Sequence, residues 1–237
     1  MKAVILAGGK GTRLAPYTKI LPKPLVPIGD MPILEVMIRQ FKRSGVDEIT
    51  LAVGHLANLL RAFFDDGSKY GMKIRYSLED RPLGTVGPLA LIPRPTDSFF
   101  VANGDVLTTI DLKQLFDFHR ASGAAATIAM HRRSVKIDLG VIEMDGDHCV
   151  TAYSEKPTLQ YDVSMGIYVF EPRVIDYIPL GQHCDFPDLV HTLLAQGAKV
   201  CGFPFEGYWQ DLGNADDYEQ AVADFDRMRT EFLGDEA

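Results

Sequence analysis

Short apolar runs alternate with longer amphipathic stretches along the first 130 residues of the chain. The first run, residues 4–7, has the length of a buried strand, and residues 33–41 carry apolar side chains at helical spacing. Further strands are predicted at 49–53, 74–76, 99–102 and 126–130, and further helices at 56–64, 86–92 and 112–120. This alternation is typical of an α/β fold with a mostly parallel sheet and helices on both faces. In such sheets ligands bind beyond the carboxyl ends of the strands, so we expect the loops after Ala7 and Ala102 to carry the chemistry.

The second part of the chain is predicted to be richer in strands. Beyond about residue 138, the Asp145-Gly146-Asp147 turn separates two short apolar runs and indicates a hairpin. The remaining predicted elements are strands at 139–144, 150–154, 163–170 and 199–203, and helices at 174–178, 187–195 and 215–232. The sequence has no repeat at a solenoid period and no low-complexity linker. We therefore predict one domain over residues 1–237, with a first portion at 1–137, a β-rich portion at 138–213, and a C-terminal helix and tail at 214–237.

The composition suits an ordinary globular protein and excludes several other classes. Of the 237 residues, 46% are hydrophobic and 24% are charged, and the mean hydropathy is near zero, which argues against disordered, collagen-like and coiled-coil chains. No uncharged apolar run approaches the roughly 20 residues of a membrane helix, and the N-terminal run is too short for a signal peptide. Three cysteines make no disulfide framework in a chain of this length, so we expect a cytoplasmic protein with no membrane partner.

Charge is unevenly distributed between the two ends of the chain. Residues 1–43 carry eight Lys and Arg against two acidic residues, whereas residues 214–237 carry eight Asp and Glu against two Arg. A nucleic-acid groove needs a basic stripe over much of the chain, and this sequence has none. The basic N-terminal segment instead suits a small, highly charged anion, and the acidic end is interpreted as a solvated helix face with a tail.

A glycine-rich segment follows the first predicted strand and is the most informative part of the sequence. It consists of Gly8-Gly9-Lys10-Gly11-Thr12-Arg13-Leu14. Glycines let backbone N–H groups approach an anion closely, Arg13 and Lys10 add positive charge, and Thr12 adds a hydroxyl donor. The segment is neither a Walker motif nor a dinucleotide-binding fingerprint, because Leu14 stands where the latter needs glycine or alanine. Since Pro22-Lys23-Pro24 follows ten residues later, we predict a phosphate-binding loop.

This loop and the segment after it resemble the signature of the nucleotide-sugar pyrophosphorylases, which are the sugar-1-phosphate nucleotidylyltransferases. The resemblance covers residues 8–18 and then Pro22-Lys23-Pro24-Leu25-Val26-Pro27. Further matches are Asn103-Gly104-Asp105, Glu155-Lys156-Pro157, Gly166-Ile167-Tyr168 and Trp209-x-Asp211-x-Gly213. Residues 82–89 are most similar to the guanylyltransferase branch that acts on mannose 1-phosphate or related sugars such as a heptose 1-phosphate. The resemblance implies a Rossmann-like, GT-A-like fold with a nucleotide-binding portion at 1–137 and a sugar-binding portion at 138–213.

The reaction implied by this resemblance is attack of a sugar 1-phosphate oxygen on the α-phosphorus of an NTP, with pyrophosphate leaving. It needs no covalent enzyme nucleophile, so catalysis depends on positioning and on charge neutralisation. Arg13 and the loop amides are expected to hold the β- and γ-phosphates, and Lys23 to lie across the two reacting phosphates. The residues expected to bind the nucleotide are Gly8, Gly9, Gly11, Thr12, Arg13, Glu79 and Gly84.

Two aspartates are expected to hold Mg²⁺, the cofactor that the resemblance implies. Asp105 follows the apolar run 99–102 and should emerge at the carboxyl edge of a central strand, where Asp211 can reach it only through the fold. Mg²⁺ prefers one or two protein carboxylates together with phosphate oxygens and water. Turn or helix-cap roles for both residues are the alternative. The aspartates without such a placement, interpreted as caps or surface residues, are Asp111, Asp138 and Asp185.

Four residues of the β-rich portion are expected to contact the sugar phosphate: Gly140, Glu155, Lys156 and Ser164. Glu155 would accept hydrogen bonds from sugar hydroxyls and Lys156 would meet the phosphate, with a solvated ion pair as the alternative. Gly140 would give close backbone access to the sugar, or it is an ordinary strand glycine. Ser164 stands where the mannose branch has Asn, and a serine lacks an amide's paired donor and acceptor. This departure favours a manno-configured relative such as a heptose 1-phosphate over mannose 1-phosphate.

Gly84 and Glu79 are the residues expected to recognise the nucleotide base. Gly84 would let backbone groups reach a base edge, and Glu79 could accept hydrogen bonds from guanine N1–H and its 2-amino group, which favours GTP. The alternatives are a uridylyl- or thymidylyltransferase for glucose 1-phosphate or an amino-sugar 1-phosphate, a cytidylyltransferase for a non-sugar phosphate, and a catalytically silent regulator. Related enzymes commonly form dimers or tetramers, so a homo-oligomer is a candidate state. Trp209 is interpreted as a packing residue, and Cys201, in an apolar strand, as a core residue.

Overall fold

A seven-stranded sheet passes through the centre of the molecule. The computed structural model describes residues 1–14 and 17–234, so Ala15 and Pro16 of the signature and the last three residues lie outside the described ranges. The strands are β1 (Lys2–Ala7), β2 (Pro27–Ile28), β3 (Met31–Pro32), β4 (Glu48–Val53), β5 (Lys73–Leu78), β6 (Phe99–Asn103), β7 (Val106–Thr108), β8 (Ala126–Lys136), β9 (Gly140–Met144), β10 (Val150–Glu155), β11 (Thr158–Phe170), β12 (Val200–Phe205) and β13 (Trp209–Asp211). The order in the sheet is β12-β8-β11-β6-β1-β4-β5, and every strand except β11 runs parallel to β1. The predicted α/β fold with a mostly parallel sheet is confirmed.

Helices cover both faces of this sheet. They are α1 (Ile33–Arg43), α2 (Ala57–Phe64), α3 (Leu112–Ser122), α4 (Phe186–Ala195), α5 (Ala215–Arg227) and α6 (Arg229–Leu233). Successive strand residues point to opposite faces, so Ile5 joins the core formed with α1, α2 and α3, and Val4 joins the core formed with α4. The strands buried on both faces are therefore continuous apolar runs, which is the pattern that the sequence shows at residues 4–7 and 99–102. None of the helices in the described ranges is long and apolar enough to cross a membrane.

Two of the predicted α-helices are short 3₁₀ helices instead. They span Gly87–Leu91 and Pro172–Tyr177. In the first, the N–H groups of Val86 and Gly87 both donate to the Cys184 carbonyl oxygen at 3.1 Å, so these donors serve a neighbouring segment. Pro88 offers no N–H at all. The remaining 3₁₀ helices are Thr12–Leu14, Tyr17–Lys19, Lys23–Leu25 and Ser68–Tyr70.

The pairs β2–β3 and β7–β13 are two-stranded ladders that the sequence did not predict. Their strands have two or three residues each, which is too short to carry a period. The helix predicted at 215–232 is broken at Met228, where α5 ends and α6 begins. These differences leave the order of the main elements unchanged.

Strands β8 and β11 extend beyond the sheet as a two-stranded ribbon. Both are longer than predicted, because residues 131–136 continue to pair with residues 158–163. The hairpin of β9 and β10 joins their ends, and we call residues 131–164 the arm. Since β8 runs parallel to β6, the arm projects from the carboxyl edge of the sheet. Strands from the predicted first and β-rich portions lie side by side in one sheet.

The C-terminal helices cover the segment that follows Lys23. Tyr218 of α5 donates its hydroxyl to the Pro27 carbonyl oxygen at 2.7 Å, and Arg229 of α6 pairs with Asp30 at 2.7 Å. A separate apolar core joins these helices to residues 26–36; it includes Val26, Ile28, Ile33, Val36, Phe225 and Phe232. The acidic end of the chain therefore has a solvated face, as predicted, and a buried face that holds the segment after Lys23 in place.

Candidate active site

A cleft of about 910 Å³ opens at the carboxyl edge of the parallel strands. The ends of β1, β4 and β6 form its floor, and loops from several parts of the chain form its walls. The structure brings together there the predicted residues Gly8, Gly9, Gly11, Thr12, Arg13, Lys23, Glu79, Gly84, Asp105 and Asp211. The expectation that the loops after the first and central strands carry the site agrees with this placement.

Gly11 and Gly9 of the glycine-rich loop lie in different surroundings. Gly11 has a φ of +59°, and a Cβ atom there would lie 3.0 Å from side-chain atoms of both Lys23 and Thr18. The Thr18 hydroxyl donates to the Gly11 carbonyl oxygen at 2.8 Å, which fixes this turn. At Gly9, by contrast, a Cβ atom would meet nothing within 4 Å. Gly11 is therefore required by the packing of the loop against Lys23, whereas Gly9 faces open space at the cleft.

Lys23 is buried at the floor of the cleft and forms an ion pair with Asp105. Asp105 belongs to the turn that follows β6, as the sequence predicts. The preceding Gly104 donates its N–H to the Leu6 carbonyl oxygen at 3.0 Å, and a Cβ at Gly104 would come within 3.1 Å of that oxygen. Glycine at this position therefore lets the turn approach β1, which carries Asp105 towards Lys23.

Asp211 lies beside Asp105 because their two strands pair. Asp211 in β13 is opposite Val106 in β7, and Leu212 donates its N–H to the Asp105 carbonyl oxygen at 3.1 Å. Burial raises the pKa of Asp211 above its usual range, the Asp105 carboxylate raises it further, and Lys23 and Arg13 oppose this rise. A partly buried carboxylate held next to another carboxylate is stabilised by a cation.

The donor set fits a hard divalent cation. In the described part of the chain, no three His, Cys, Asp or Glu side chains come together as a metal site. Mg²⁺ needs no such cluster, since it commonly takes one or two protein carboxylates and completes its coordination with substrate phosphates and water. Asp105 and Asp211 both line the cleft and could supply two such carboxylates.

Glu79 occupies a notch between two glycines at the end of β5. One of its oxygens, Oε2, accepts the Leu83 N–H at 3.1 Å. The other, Oε1, lies against Gly8 and Gly54, and a Cβ at Gly54 would come within 2.7 Å of it. Burial raises the pKa of Glu79, and the Leu83 hydrogen bond lowers it by less. Among the described residues, Oε2 therefore has a hydrogen-bond donor and Oε1 has none, which the sequence could not indicate.

Gly84 is held by the segment just before α4. Its φ is +80°, and a Cβ there would lie 2.6 Å from the Cys184 carbonyl oxygen and 2.8 Å from Asp185 Oδ1. Asp185 is the N-cap residue of α4, so its predicted cap position is confirmed, but it also lines the cleft. Asp111 is confirmed as a cap, since it accepts the Gln114 N–H at 3.0 Å, and Asp138 as a surface residue that pairs with Lys136.

The predicted sugar-phosphate residues lie on the arm and do not line the cleft. Gly140 and Glu155 are paired across the β9–β10 ladder, while Lys156 has a φ of +46° at the turn after it. The Tyr153 hydroxyl donates to Glu155 Oε2 at 2.7 Å and sits where a Cβ of Gly140 would be. Sequence reasoning missed Tyr153, whose only signal is its position two residues before Glu155.

Ser164 lies at the root of the arm. Its hydroxyl donates to the Tyr168 hydroxyl at 3.1 Å, across a register shift in β11. Within that shift Gly166 has a φ of +74°, and a Cβ there would lie 2.6 Å from Asn103 Nδ2. The Trp209 indole N–H donates to the Met165 carbonyl oxygen at 3.0 Å, which agrees with its predicted packing role. The root of the arm is thus fixed to the strands that carry Asp105 and Asp211.

Several cleft residues were not predicted. Asp80, Arg81 and Thr85 adjoin the predicted Glu79 and Gly84 in sequence, whereas His55, His183 and Asp185 come from loops that are distant in the chain. Cys201 was predicted to be a core residue, but it lies in the edge strand β12 and is only half-buried. The distant loops and the edge position of β12 do not follow from local pattern, since they depend on which segments become neighbours in the fold.

Several known proteins are similar to this chain along most of its length. Residues 2–227 match the model of the nucleotidyl transferase family. The chain is 37% identical over 242 residues to a UTP–glucose-1-phosphate uridylyltransferase of Synechocystis sp., covering 94% of this chain and 62% of that protein. It is also 37% identical over 233 residues to a mannose-1-phosphate guanylyltransferase of Mycobacterium tuberculosis, covering 95% and 64%. The chain thus spans less than two thirds of the length of these curated relatives.

The fold has a counterpart among crystal structures. A Bacillus anthracis protein to which glucose-1-phosphate thymidylyltransferase activity is ascribed, solved in complex with a sucrose, superimposes with a TM-score of 0.76. It is 25% identical in sequence, and the match covers 94% of each chain. The similarity therefore extends over most of both chains rather than over one motif.

Proposed function

The chain belongs to the nucleotidyl transferase family, and on that premise we propose that it transfers a nucleotidyl group from an NTP to a sugar 1-phosphate. The observation that supports this most directly is the grouping of Lys23, Asp105 and Asp211 in a glycine-lined cleft. Cationic and metal-binding groups that converge on one point suit a reaction between two phosphate groups.

In the proposed reaction, an oxygen of the sugar 1-phosphate forms a bond to the α-phosphorus of the NTP. The bond from that phosphorus to the bridging oxygen of the β-phosphate breaks, and pyrophosphate leaves. Lys23 has three N–H donors, so it can keep Asp105 and still donate to oxygens of the two reacting phosphates. Arg13 and the loop amides would hold the β- and γ-phosphates, where the leaving group gains charge.

Mg²⁺ is the proposed cofactor, with Asp105 and Asp211 as its protein ligands. When bound, it would neutralise charge on the phosphate oxygens. The raised pKa of Asp211 supports this role. It shows that burial disfavours the charged carboxylate, and a nearby cation would stabilise that charged form. The residues of this chain would thus supply two carboxylates and two basic side chains to the same part of the cleft.

GTP and a manno-configured sugar 1-phosphate are the proposed substrates. The free Oε1 of Glu79 supports guanine, because it could accept from N1–H or the 2-amino group. The Mycobacterium relative, a mannose-1-phosphate guanylyltransferase, supports the same choice. Ser164 argues for a relative of mannose, such as a heptose. A uridylyltransferase acting on glucose 1-phosphate is the second candidate, because the Synechocystis relative is equally identical to this chain.

The cytoplasm is the proposed location, because Cys149, Cys184 and Cys201 all carry free thiols. A matrix of the four NTPs and dTTP against mannose, glucose, heptose and N-acetylglucosamine 1-phosphates tests the function, with released pyrophosphate as the readout. We expect release that needs Mg²⁺, is abolished by EDTA, and is fastest with GTP and a manno-configured acceptor. Fastest release with UTP and glucose 1-phosphate would select the second candidate. No release in any combination would contradict the proposed activity.

A further inference from the structure

The loop at residues 82–88 is held in place by a segment that lies about a hundred residues away in the chain. Cys184 donates its N–H to the Leu83 carbonyl oxygen at 2.9 Å, and its carbonyl oxygen accepts from Val86 and Gly87 at 3.1 Å each. The backbone of this loop is therefore tied to the residues just before α4. Its conformation is set by a distant segment rather than by its own turn chemistry.

Thr85 forms two hydrogen bonds within this contact, one to Asp185 and one to Phe186. The Thr85 N–H donates to Asp185 Oδ1 at 2.9 Å, and the Thr85 hydroxyl oxygen accepts the Phe186 N–H at 2.7 Å. The same Oδ1 atom lies 2.8 Å from the Cβ position of Gly84. A hydrogen bond between a carboxylate and a backbone N–H is among the stronger kinds, so this pair fixes the tip of the loop.

The tip of this loop forms a wall of the nucleotide side of the cleft. Gly84, Thr85 and Pro88 line the cleft, and so does Asp185. At its other end, the loop donates the Leu83 N–H to Glu79. Displacement of the loop would therefore move both the backbone near Gly84 and the carboxylate of Glu79.

We propose that Asp185 is a positioning residue for the nucleoside part of the NTP. It acts through Thr85, by holding residues 82–88 in the conformation that receives the base. This inference rests on the proposed function. When only a fraction of the molecules holds the competent loop, the apparent affinity for the ligand falls by that fraction. Loss of the Asp185–Thr85 bond should then weaken NTP binding without altering how the sugar phosphate binds.

Asp188 provides a matched control on the same helix. It accepts the Asp185 backbone N–H at 3.1 Å, and its contact to the helix start does not involve residues 82–88. An Asp188→Ala variant therefore weakens the cap of α4 while it keeps the Asp185 side chain. The Asp185 side chain accepts the other hydrogen bond of this capping box, so an effect of Asp185 that passes only through helix stability should appear in Asp188→Ala in part.

Calorimetric binding of GTP and of UTP, each with Mg²⁺, tests the proposal on Asp185→Ala, Thr85→Val, Asp185→Asn and Asp188→Ala. We expect the NTP that binds the wild-type protein to lose about 5- to 30-fold in affinity in Asp185→Ala. Thr85→Val keeps the Thr85 N–H that donates to Asp185 and removes only the acceptor of the Phe186 N–H, so its loss should be smaller. Asp185→Asn should remain within about 3-fold of wild type, because an amide oxygen still accepts the Thr85 N–H. Asp188→Ala should bind like wild type even where its melting temperature falls.

Pyrophosphate gives the readout that separates positioning from general damage. It has no nucleoside, so its inhibition constant should change by less than 2-fold in Asp185→Ala, and so should the KM for the sugar phosphate. Equal NTP affinity in folded Asp185→Ala and wild type would overturn the inference, as would an equal loss in Asp188→Ala. If Asp185→Ala does not fold, Asp185→Gly decides by the same criteria, because glycine also lacks the carboxylate and is tolerated at an N-cap. Failure of the wild-type protein to bind either NTP would instead contradict the proposed function.

Discussion

The Lys23 ammonium contacts the Asp105 carboxylate although 82 residues separate them in the chain. Lys23 is only 8% exposed, so the pair lies where water screens charge poorly. Removal of either partner leaves the other charge without compensation. Asp211 is adjacent and feels both charges, since Asp105 raises its pKa and Lys23 lowers it. The three residues therefore behave as one electrostatic unit, and a change in one affects the others.

Substitution of Lys23 and of Lys156 should change different kinetic constants. Lys23→Met should lower kcat by about 100- to 1,000-fold, because it removes a donor aimed at the reacting phosphates. Lys156→Met should mainly raise the KM for the sugar phosphate by about 2- to 5-fold, because Lys156 is exposed on the arm. Steady-state kinetics with each substrate varied in turn check both statements. The reverse pattern would exchange the two assignments.

If Asp105 and Asp211 both bind Mg²⁺, substitution of either residue should impair the enzyme in the same way. Asp105→Asn and Asp211→Asn should each lower turnover by two to three orders of magnitude, roughly the effect of losing several kcal/mol of charge stabilisation. Both should also raise the Mg²⁺ concentration needed for half-maximal activity. Asp111→Asn is the control, since Asp111 caps α3 and asparagine caps equally well. Near-normal Mg²⁺ dependence in both site variants would contradict the assignment.

Tyr153 should influence the sugar phosphate and not the nucleotide. Tyr153→Phe removes the hydroxyl that holds Glu155 and fills the space above Gly140. Loss of one hydrogen bond to a carboxylate on an exposed arm should raise the KM for the sugar phosphate by about 3- to 10-fold. The KM for the NTP should stay the same. Tyr161→Phe, at another exposed position on the arm, is the comparison variant.

Ser164 should set the choice between related sugars. Ser164→Asn replaces one hydroxyl with a paired donor and acceptor at the root of the arm. We expect the ratio of kcat/KM for mannose 1-phosphate over a heptose 1-phosphate to rise by about 5- to 150-fold, equivalent to roughly 1–3 kcal/mol. Competition between the two sugars in one assay measures this ratio directly. An unchanged ratio would remove Ser164 from sugar recognition.

Stability should depend on pH through His119, at the opposite edge of the sheet. Its imidazole is 1% exposed, with ring nitrogens 2.8 Å from Thr127 Oγ1 and 3.1 Å from Glu171 Oε1. Burial lowers the pKa of His119, and Glu171 opposes this only in part. The unfolded chain therefore takes up a proton at a higher pH than the folded chain. The stability from neutral His119 is complete above about pH 6.5 and is lost as the pH falls below that value.

Urea unfolding between pH 5 and pH 8 measures this effect. The slope below pH 6.5 should be at most about 1.4 kcal/mol per pH unit for one group. His119→Gln should reduce the slope, whereas substitution of the exposed His191 should leave it as in wild type. An unchanged slope in His119→Gln would assign the pH dependence to other groups.

The sheet and the cleft could be predicted from the sequence because their causes are local. Residues 4–7 and 99–102 are apolar runs of strand length, and parallel strands place their carboxyl ends at one edge. Gly11, Arg13, Lys23 and Asp105 each follow such a strand or lie in the loops next to it. The grouping of these residues therefore follows once the strands are assigned.

The remaining features depend on contacts that leave no local pattern. The Thr85–Asp185 pair joins positions 100 residues apart, and Asp185 looks in the sequence like any other helix cap. The arm is longer than predicted because its strands are exposed on both faces, which removes the apolar alternation that marks a half-buried strand. The 3₁₀ helix at Gly87–Leu91 likewise depends on the distant Cys184 carbonyl oxygen.

Strand β11 is a single continuous element of 13 residues that belongs partly to the arm and partly to the sheet. Its sheet half pairs with β6, where Ile167 is opposite Ala102, and its arm half pairs with β8. Between the two halves, Gly166 packs against Asn103, two residues before Asp105. β11 therefore connects the arm to the sheet without a break, and its register shift lies beside the turn that carries Asp105. A displacement of the arm would act first at Gly166, so the position of Asp105 depends on how the arm is seated.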